Sequence, residues 1–404
     1  MAPLPDKAAP APVVAILTYR DNTRIFRGNR DNFADLLRTA KDEGVTAYIT
    51  AYNDLDVTRR FVKGYTYDHT KKKWVRGIQP FPNVVYNRIP YRKFEQLPEV
   101  QQVIQECLRH PDIQFFNPSF FSKSTLFEWL NESNVTRKHI PETIELNSAA
   151  DLARMVRRHR IVYLKPVKGK AGKGIMKVQR FIKRDRTQKY RLTFQSGAGT
   201  ESSVHKSMSS LYDAVREHMG SREYIAQQGI KLAGVGGRPF DLRTLVQKNA
   251  NGVWKVSGIG ARMAGASSIT THVPRGGSIE NPVRLLSAVF GPAAGKSILK
   301  EAKKTALVLA SQIEKGSGYR LGEMSMDLGI DTSGKLWFFE ANSKPMKFDE
   351  PPIRKLSLRR LVRYFKYLVN QPQDLIITRS ARHKAVGKRR RAKRGNRSWP
   401  ISLN

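Results

Sequence analysis

The chain has 404 residues, of which 40% are hydrophobic, and it carries a formal net charge of +38 and a single cysteine. This length and apolar content exclude an intrinsically disordered protein and predict two or three domains with buried cores. A single cysteine excludes an intramolecular disulfide, and no apolar run approaches the roughly 20 residues of a transmembrane helix.

The excess of cations predicts contacts with polyanions. Lysine and arginine number 72 against 34 aspartate and glutamate residues, and so basic a surface attracts nucleic acid, anionic lipid or anionic wall polymer. Residues 375–404 contribute ten of these cations and no acid, which leaves +28 for the rest of the chain. We therefore expect the whole molecule to bind polyanions, with an affinity that falls as salt rises.

The first residues do not have the pattern of an export signal. Residues 1–12 contain four prolines where a signal peptide would have an uninterrupted apolar segment. We interpret them as a flexible leader and expect the protein to stay in the cytoplasm after synthesis.

Strand and helix patterns then alternate up to residue 116. Apolar runs predict buried strands at 13–19, 45–50 and 84–89. Helical spacing predicts helices at 32–43 and 97–110. Residues 13–116 are therefore predicted to form a small α/β domain.

A loop rich in glycine and lysine lies between two predicted strands at 161–165 and 174–178. Its glycines would let backbone N–H groups approach phosphate oxygens, and Lys165 and Lys177 would supply positive charge from the strands. The alternative is a basic turn without a ligand. A Walker A loop is excluded, because the G-x-x-x-x-G-K-[ST] pattern is absent and the residues after the loop predict a strand.

The segment GPAAGKS at 291–297 also resembles a Walker A loop but is one residue short between its glycines. We favour a different interpretation, in which Ser297 caps the helix predicted at 298–313 and Lys296 lies on the surface.

Two hairpins are predicted in the C-terminal half, one around Asn251 and Gly252 and one around the turn at 331–334. The register of the second places Asp327 opposite Glu340, and strand alternation puts Asn342 on the same face. Two carboxylates and an amide oxygen suit Mg²⁺. The alternative is a solvated edge on which the two charges do not meet.

Taken in chain order, these segments resemble the ATP-grasp superfamily, in which two α+β subdomains close on ATP. The resemblance rests on KSTLFEWL (123–130), YLKPVKGKAGKGIMKV (163–178), YIAQQGI (224–230), FDLRTLV (240–246), GARM (260–263) and MDLGID through FFEANSKP (326–345). The runs FDLRTLVQKN, GEMSMDLGID and WFFEANSKP are similar to the group associated with the coat of bacterial endospores, the YheC/YheD type.

The resemblance implies a division of the chain. An ATP-grasp domain at 117–370 would follow the small α/β domain. It would contain a glycine-rich-loop subdomain at about 161–230 and a metal-binding subdomain at about 231–370. Residues 371–404 would form a basic disordered tail.

The resemblance also implies roles for single residues. The group that binds the ATP phosphates would comprise Lys123, Lys165, Gly169, Gly172 and Gly174. The hinge that holds adenine would comprise Gln227, Gln228 and Ile230. The ligands of one or two Mg²⁺ ions would be Asp327, Glu340 and Asn342. Arg243 and Arg262 would stabilise negative charge on the transferred phosphoryl group.

Two positions depart from the pattern of relatives. Many relatives have an acid for the ribose hydroxyls where Gln227 and Gln228 stand. His272 lies in the loop THVPRGGS, where relatives often have asparagine. We favour an ordinary loop histidine over a general base at this position.

The helix predicted at 355–369 is amphipathic and basic. We favour packing of its apolar side against the ATP-grasp domain with its cations in water. The alternative is a helix that lies on a membrane surface.

The sequence therefore predicts an ATP- and Mg²⁺-dependent ligase that joins a small-molecule or peptide carboxylate to an amine, or to a thiol, through an acylphosphate at the endospore coat. The second hypothesis is a non-catalytic, nucleotide-binding scaffold of the coat that binds polyanions. A nucleic-acid binder is the weakest hypothesis, because no recognisable reading motif accompanies the charge.

Overall fold

The computed structural model of the protein describes residues 11–371 apart from 22, 24, 168–173, 183, 196–199 and 266–276. Several predicted features lie outside the described residues, namely Gly169, Gly172, His272 and the tail from residue 372 onward. Three β-sheets form the framework, and each is built from one continuous part of the chain.

The N-terminal sheet consists of β1 (Val13–Thr18), β2 (Thr46–Ala51), β3 (Phe61–Asp68), β4 (Lys73–Pro80), β5 (Val84–Asn87) and β6 (Gln114–Phe116). Its order is β4-β3-β2-β1-β5-β6, with parallel pairs between β2, β1, β5 and β6. The helical elements are α1 (Arg30–Asp42), a 3₁₀-helix (Tyr52–Asp54), α2 (Arg92–Glu95) and α3 (Pro98–Arg109).

The apolar run of β1 is explained by burial on both faces. Val14 and Ile16 lie in a core with α1, whereas Ala15 and Leu17 lie in a second core with α3. A parallel strand covered by helices on both sides needs apolar residues at successive positions. The predicted α/β fold of this part of the chain is confirmed.

The central sheet consists of β7 (Thr143–Glu145), β8 (Ile161–Pro166), β9 (Met176–Ile182), β10 (Gln188–Gln195), β11 (Thr200–His205) and β12 (Tyr224–Gln228). Its order is β11-β10-β9-β8-β12-β7, and every pair is antiparallel. The helices α6 (Ala149–Arg158) and α7 (Met208–Met219) cover its core face. The strands predicted on either side of the glycine-rich loop pair with each other, as expected.

The C-terminal sheet consists of β13 (Gly234–Val235), β14 (Arg238–Lys248), β15 (Trp254–Met263), β16 (Ser278–Glu280), β17 (Glu323–Ile330) and β18 (Leu336–Asn342). Its main order is β16-β15-β14-β17-β18. The helices on its core side are α4 (Lys123–Asn131), α5 (Asn134–Arg137), α8 (Pro282–Phe290) and α9 (Pro292–Ser317). Both predicted hairpins are confirmed.

The predicted cap of α9 is wrong. The helix begins at Pro292, and Ser297 lies inside it. Proline suits the first helical position because its fixed φ is helical and its missing N–H has no intrahelical partner there. Gly295 is buried, and a Cβ there would come 2.9 Å from the backbone carbon of Leu286. The segment GPAAGKS is therefore the start of a helix, and Lys296 is exposed as expected.

The helix α10 (Pro351–Val369) joins two of the sheets. It contacts β14 and β15, which confirms packing on the C-terminal sheet. All six of its buried side chains, however, lie in the N-terminal core beside α1, which was not predicted, namely Leu358, Leu361, Val362, Tyr364, Phe365 and Leu368. None of the helices within the described ranges is long and apolar enough to span a membrane.

Phe365 anchors α10 in the N-terminal core, where its ring lies near those of Tyr86 and Phe116. We expect Phe365→Ala to lower the free energy of unfolding by about 3–5 kcal/mol, because a large buried side chain is replaced by a cavity. Urea denaturation followed by circular dichroism measures the change. Leu356→Ala on the same helix is the control, since that side chain is 41% exposed. An equal decrease in the free energy of unfolding in the two variants would contradict an anchoring role of Phe365.

Candidate functional site

A cleft lies between the faces of the central and C-terminal sheets that do not carry their cores. In β8 the alternation buries Val162 and Leu164 in the core, so Lys165 lies on the opposite face. Lys123, at the start of α4, lies 3.9 Å from Glu340 of β18. The charges of Lys123 and Glu340 both act on Lys165. Groups from three elements therefore face one space.

The carboxylate pair of the second hairpin has the predicted register. Asp327 pairs with Glu340, and Ser325 pairs with Asn342 on the same face. All of β17 is buried, and the side chain of Glu340 is 39% exposed. The alternative of a solvated edge is therefore wrong for Asp327, whereas Glu340 reaches the open side of the cleft.

The turn of this hairpin is fixed by its first residue. Oδ1 of Asp331 accepts hydrogen bonds from the backbone N–H groups of Ser333 and Lys335, and its Oδ2 accepts one from the Trp337 indole. Although burial raises it, the pKa of Asp331 is lowered overall by a further bond from the Ser333 hydroxyl to Oδ1 and by the bonds from the indole and the two N–H groups. An ionised turn residue with several donors fixes the register that brings Asp327 to Glu340.

Arg262 bridges two carboxylates at the floor of the cleft. Its guanidinium lies 2.8 Å from Oδ2 of Asp327 and donates two bonds of 2.9 Å to Asp241. Although burial lowers it, the pKa of Arg262 is raised overall by these two carboxylates. Two acids thus balance this arginine. Asp241 was not predicted, although its position two residues before Arg243 places both on one face.

Arg243 lies in the middle of the same face. It pairs with Asp327 on one side and with Gly260 on the other. Its guanidinium lies 3.5 Å from the Ser325 hydroxyl and 6.0 Å from the ring centre of Phe348. Although the backbones of Arg243 and Asp327 are paired in the sheet, no carboxylate within the described ranges forms an ion pair with the guanidinium. Of the two predicted arginines, Arg243 therefore keeps more of its charge for a ligand.

Lys165 is a partly buried cation without an anionic partner among the described residues. It donates a 2.6 Å hydrogen bond to Oε1 of Gln227, and none of the described carboxylates lies within ion-pairing distance. Burial, with Lys123 nearby, lowers its pKa to about 8 against the opposing effect of Glu340. Lys177 lies on the same face of the sheet, and burial and Arg191 lower its pKa. An anion at this position would offset the cost of these charges.

Two of the hinge residues have partners that the sequence did not predict. Gln227 accepts from Lys165, and its amide donates to the Thr143 hydroxyl at 2.9 Å. Gln228 exchanges bonds with Glu142, because its N–H donates to the carbonyl and its Oε1 accepts from the backbone N–H. Ile230 is partly buried beyond the end of β12. Gln227 thus orients the lysine of the opposite strand.

Gly174 is the only predicted loop glycine within the described ranges. Its φ is +75°, and a Cβ there would lie 2.9 Å from Arg222 and 3.1 Å from the Tyr224 hydroxyl. That hydroxyl donates a 2.9 Å bond to the Gly174 carbonyl. The backbone conformation and the contact both require glycine at this position.

The residues after Asn342 contact the N-terminal part of the chain, and these contacts were not predicted from the sequence. Lys344 donates to the Asn87 side chain at 2.9 Å and to the Ile89 carbonyl at 3.2 Å, and it forms an ion pair with Glu95. Burial lowers the pKa of Lys344 to about 8, although Glu95 opposes this shift. The N-terminal sheet therefore fixes the chain two residues beyond the predicted metal ligand.

Asn117 provides a second tie between the same parts. Its side chain donates to the carbonyls of Glu323 and Ser343 and accepts from the N–H of Gly322. Its φ of +53° is unusual for a residue other than glycine. Three hydrogen bonds of one buried side chain stabilise this conformation. Both strands of the carboxylate hairpin are thus held at their ends near the N-terminal sheet.

The donor set fits a magnesium ion that phosphate oxygens would complete. Oδ1 of Asp327 is buried and has no hydrogen-bond partner among the described residues, which is unusual unless an ion or water binds there. The three predicted ligands offer only oxygen atoms, and Mg²⁺ is typically bound by one or two carboxylates plus substrate phosphates. Among the described residues no group of three or more His, Cys, Asp or Glu forms a protein-only metal cluster.

Comparisons with known proteins agree with this geometry. The family model described as YheC/D-like ATP-grasp matches residues 112–368. The endospore coat-associated protein YheD of Bacillus subtilis (strain 168) is 29% identical over 368 residues, which cover 88% of this chain and 79% of YheD. The endospore coat-associated protein YheC of the same organism is 21% identical over 322 residues, which cover 78% of this chain and 85% of YheC.

A solved structure supports the fold. The VanG D-Ala:D-Ser ligase from Enterococcus faecalis aligns with a TM-score of 0.51 and 12% sequence identity. The alignment covers 89% of this chain and 99% of the ligase. At this identity the likeness concerns the fold alone.

The ion pair between Lys344 and Glu95 offers a test of the tie to the N-terminal sheet. We expect Lys344→Met to lower the free energy of unfolding by about 3–5 kcal/mol, because it leaves a buried carboxylate without its cation. The double variant with Glu95→Gln should lose less than Lys344→Met alone. Urea denaturation measures both, with Lys355→Met at an exposed lysine as the control. A double variant less stable than the single one would contradict a specific pair.

Proposed function

Because the chain belongs to the YheC/D-like ATP-grasp family, we propose that it is an ATP- and Mg²⁺-dependent ligase that joins a carboxylate to an amine or thiol at the endospore coat. One observation carries the proposal: the paired carboxylates Asp327 and Glu340 face the ammonium of Lys165, which forms no ion pair with a described carboxylate, across one cleft. Phosphate oxygens with Mg²⁺ would complement both sides of that cleft.

The described lysines would bind and orient the nucleotide. Lys165 and Lys177 extend from neighbouring strands on one face, and Lys123 approaches from the start of α4 beside Glu340. Gln227 holds the Lys165 ammonium through its side-chain oxygen. Gly174 lets the chain leave the loop in a conformation that other residues disfavour. These groups would fix the phosphates relative to the carboxylate pair.

The metal end of the cleft would be formed by Asp327, Glu340 and Asn342. A bound Mg²⁺ would neutralise charge on the transferred phosphoryl group and orient it. Arg243 lies on the strand beside Asp327 and is not paired with a described carboxylate, so it is placed to stabilise developing negative charge. Arg262 is shared between Asp241 and Asp327, and its role would be to orient the metal carboxylate.

The reaction would need no nucleophilic side chain. A substrate carboxylate would attack the γ-phosphorus and release ADP, and the amine or thiol would then attack the acyl carbon and release phosphate. The protein would contribute by holding the reactants in line and excluding water. This assignment agrees with a cleft whose charged residues are lysines, arginines and paired acids.

Nucleotide binding with and without Mg²⁺ tests the proposal. We expect Lys165→Met to weaken ATP binding about tenfold or more in both conditions, because it removes a buried charge beside the phosphates. Glu340→Gln should remove most of the gain that Mg²⁺ gives while leaving metal-free binding nearly unchanged. Isothermal titration calorimetry measures the ATP affinity of the wild type and of both variants in each condition.

Matched variants distinguish these effects from a change in net charge. Lys63→Met removes an exposed lysine of β3, and Glu128→Gln neutralises an exposed acid of α4. Both should bind ATP like the wild type. Unchanged affinity in Lys165→Met and Glu340→Gln would rule out this cleft as the nucleotide site. Catalysis is read separately, as hydroxamate formation from a set of carboxylates with hydroxylamine.

A scaffold that keeps nucleotide binding but lacks turnover is the second candidate. It is favoured by the net charge of +38 and by the names of the YheD and YheC relatives, which are coat-associated. On this hypothesis, deletion of residues 375–404 should lower the salt concentration that releases the protein from an anionic polymer column, with ATP affinity unchanged. Hydroxamate formation with any carboxylate would contradict the hypothesis that the protein is a non-catalytic scaffold.

A further inference from the structure

A row of paired residues crosses the C-terminal sheet at the floor of the cleft. Gly260 pairs with Arg243, Arg243 with Asp327, and Asp327 with Glu340. Directly paired residues point to the same face of an antiparallel sheet. The row therefore begins at the predicted metal ligands and ends at a glycine on β15.

The glycine end of the row is covered by the chain that follows the metal ligands. A Cβ at Gly260 would lie 2.5 Å from Oε1 of Glu350, and one at Gly258 would lie 2.4 Å from Ile353. A glycine inside a strand often marks close approach of another group. The segment 343–350 thus runs from the end of β18 across the sheet to β15 and places the Glu350 carboxylate above Gly260.

Glu350 is an acid whose carboxylate has no partner among the described residues, in a protein rich in cations. It precedes the first turn of α10, but its side chain makes no capping hydrogen bond. Within the described ranges no side chain forms a hydrogen bond or ion pair with its carboxylate. The residue is partly buried, whereas its neighbour Asp349 is exposed. Negative charge is favourable beside a helix N-terminus, and the carboxylate keeps its capacity to accept hydrogen bonds from a ligand.

We infer that Glu350 binds a second cationic group on the amine acceptor, an inference that rests on the proposed ligase function. The acceptor is then a diamine or a lysine-type amino acid, with one amino group at the reacting carbon and the other at Glu350.

The spacing supports this class of acceptor. Gly260 lies two strands from Asp327, which is roughly 10 Å at about 4.8 Å per strand. With the reacting carbon placed above the Asp327 end of the row, a charge-assisted hydrogen bond of about 2.8 Å at the Glu350 end leaves roughly 7 Å between the two amino groups. A chain of five methylene groups spans such a gap when extended. Phe348 lies beside Arg243 along the path and offers an apolar surface to the methylene groups.

The experiment compares two amines that differ only in their second charge. Binding of 1,5-diaminopentane and of pentylamine is measured by calorimetry on the full chain, with and without Mg²⁺ and a non-hydrolysable ATP analogue. We expect saturable binding of the diamine and binding of pentylamine that is at least about tenfold weaker. The net charge of +38 repels a dication elsewhere on the surface, so saturable binding reports a local acidic site.

Two variants with the same change in charge locate the site. Glu350→Gln should weaken diamine binding about tenfold or more, whereas Asp349→Asn next to it should leave binding unchanged. Neither should alter pentylamine binding. Equal diamine affinity in wild type and Glu350→Gln, pentylamine binding as tight as that of the diamine, or no saturable diamine binding would each overturn the inference. Circular dichroism confirms that Glu350→Gln is folded.

A separate titration of the wild type with the ATP analogue and Mg²⁺ distinguishes failure of this inference from failure of the proposed function. Failure of the diamine predictions with intact Mg²⁺-dependent nucleotide binding overturns the acceptor assignment alone. If the wild type does not bind the ATP analogue, the proposed ligase function is overturned. The diamine titration without nucleotide then still reports whether Glu350 binds a cation.

Discussion

Repulsion between Asp327 and Glu340 is the constraint on which the site depends. Two carboxylates at directly paired positions destabilise a sheet unless cations lie near them. Arg262 approaches Asp327 from β15, and Lys123 approaches Glu340 from α4. Within the described part of the chain, these contacts leave Oδ1 of Asp327 without a hydrogen-bond partner. Elements far apart in the chain thus converge on one pair of charges, which the described cations compensate only in part.

The distribution of the remaining charge gives the cleft a direction. Asp241 and Asp327 balance Arg262, so this buried arginine adds little net charge to the floor. Lys165, in contrast, is held by the neutral side chain of Gln227 and keeps its charge against the cost of burial. Lys165 on the central sheet therefore faces the unsatisfied acid on the C-terminal sheet, where Arg243 also lacks an ion pair among the described residues. This arrangement is complementary to phosphates with a divalent cation.

The sequence predicted those parts of the site that depend on local rules. A turn of defined length and the alternation of strand residues were sufficient to place Asp327 opposite Glu340. Contacts between distant segments have no local signal. Lys344 and Glu95 are 249 positions apart, and the hairpin of β3 and β4 lies in a basic, aromatic stretch for which no strand was predicted. The start of α9 was misplaced because Ser297 is a residue type typical of helix N-caps, whereas the helix begins at Pro292 and includes Gly295, whose close contact with α8 requires glycine.

The two sides of the cleft differ in how firmly they are attached. The segment 343–350 is held at one end by the contacts of Lys344 with Asn87, Ile89 and Glu95. At its other end it continues into α10, whose side chains lie in the N-terminal core. The metal end and the Glu350 end of the row thus belong to one connected body. The helices and strands of the central sheet make their main contacts with one another. Closure around a ligand would therefore change the distance from Lys165 to Glu340, while the spacing from Glu340 to Glu350 stays fixed by the sheet.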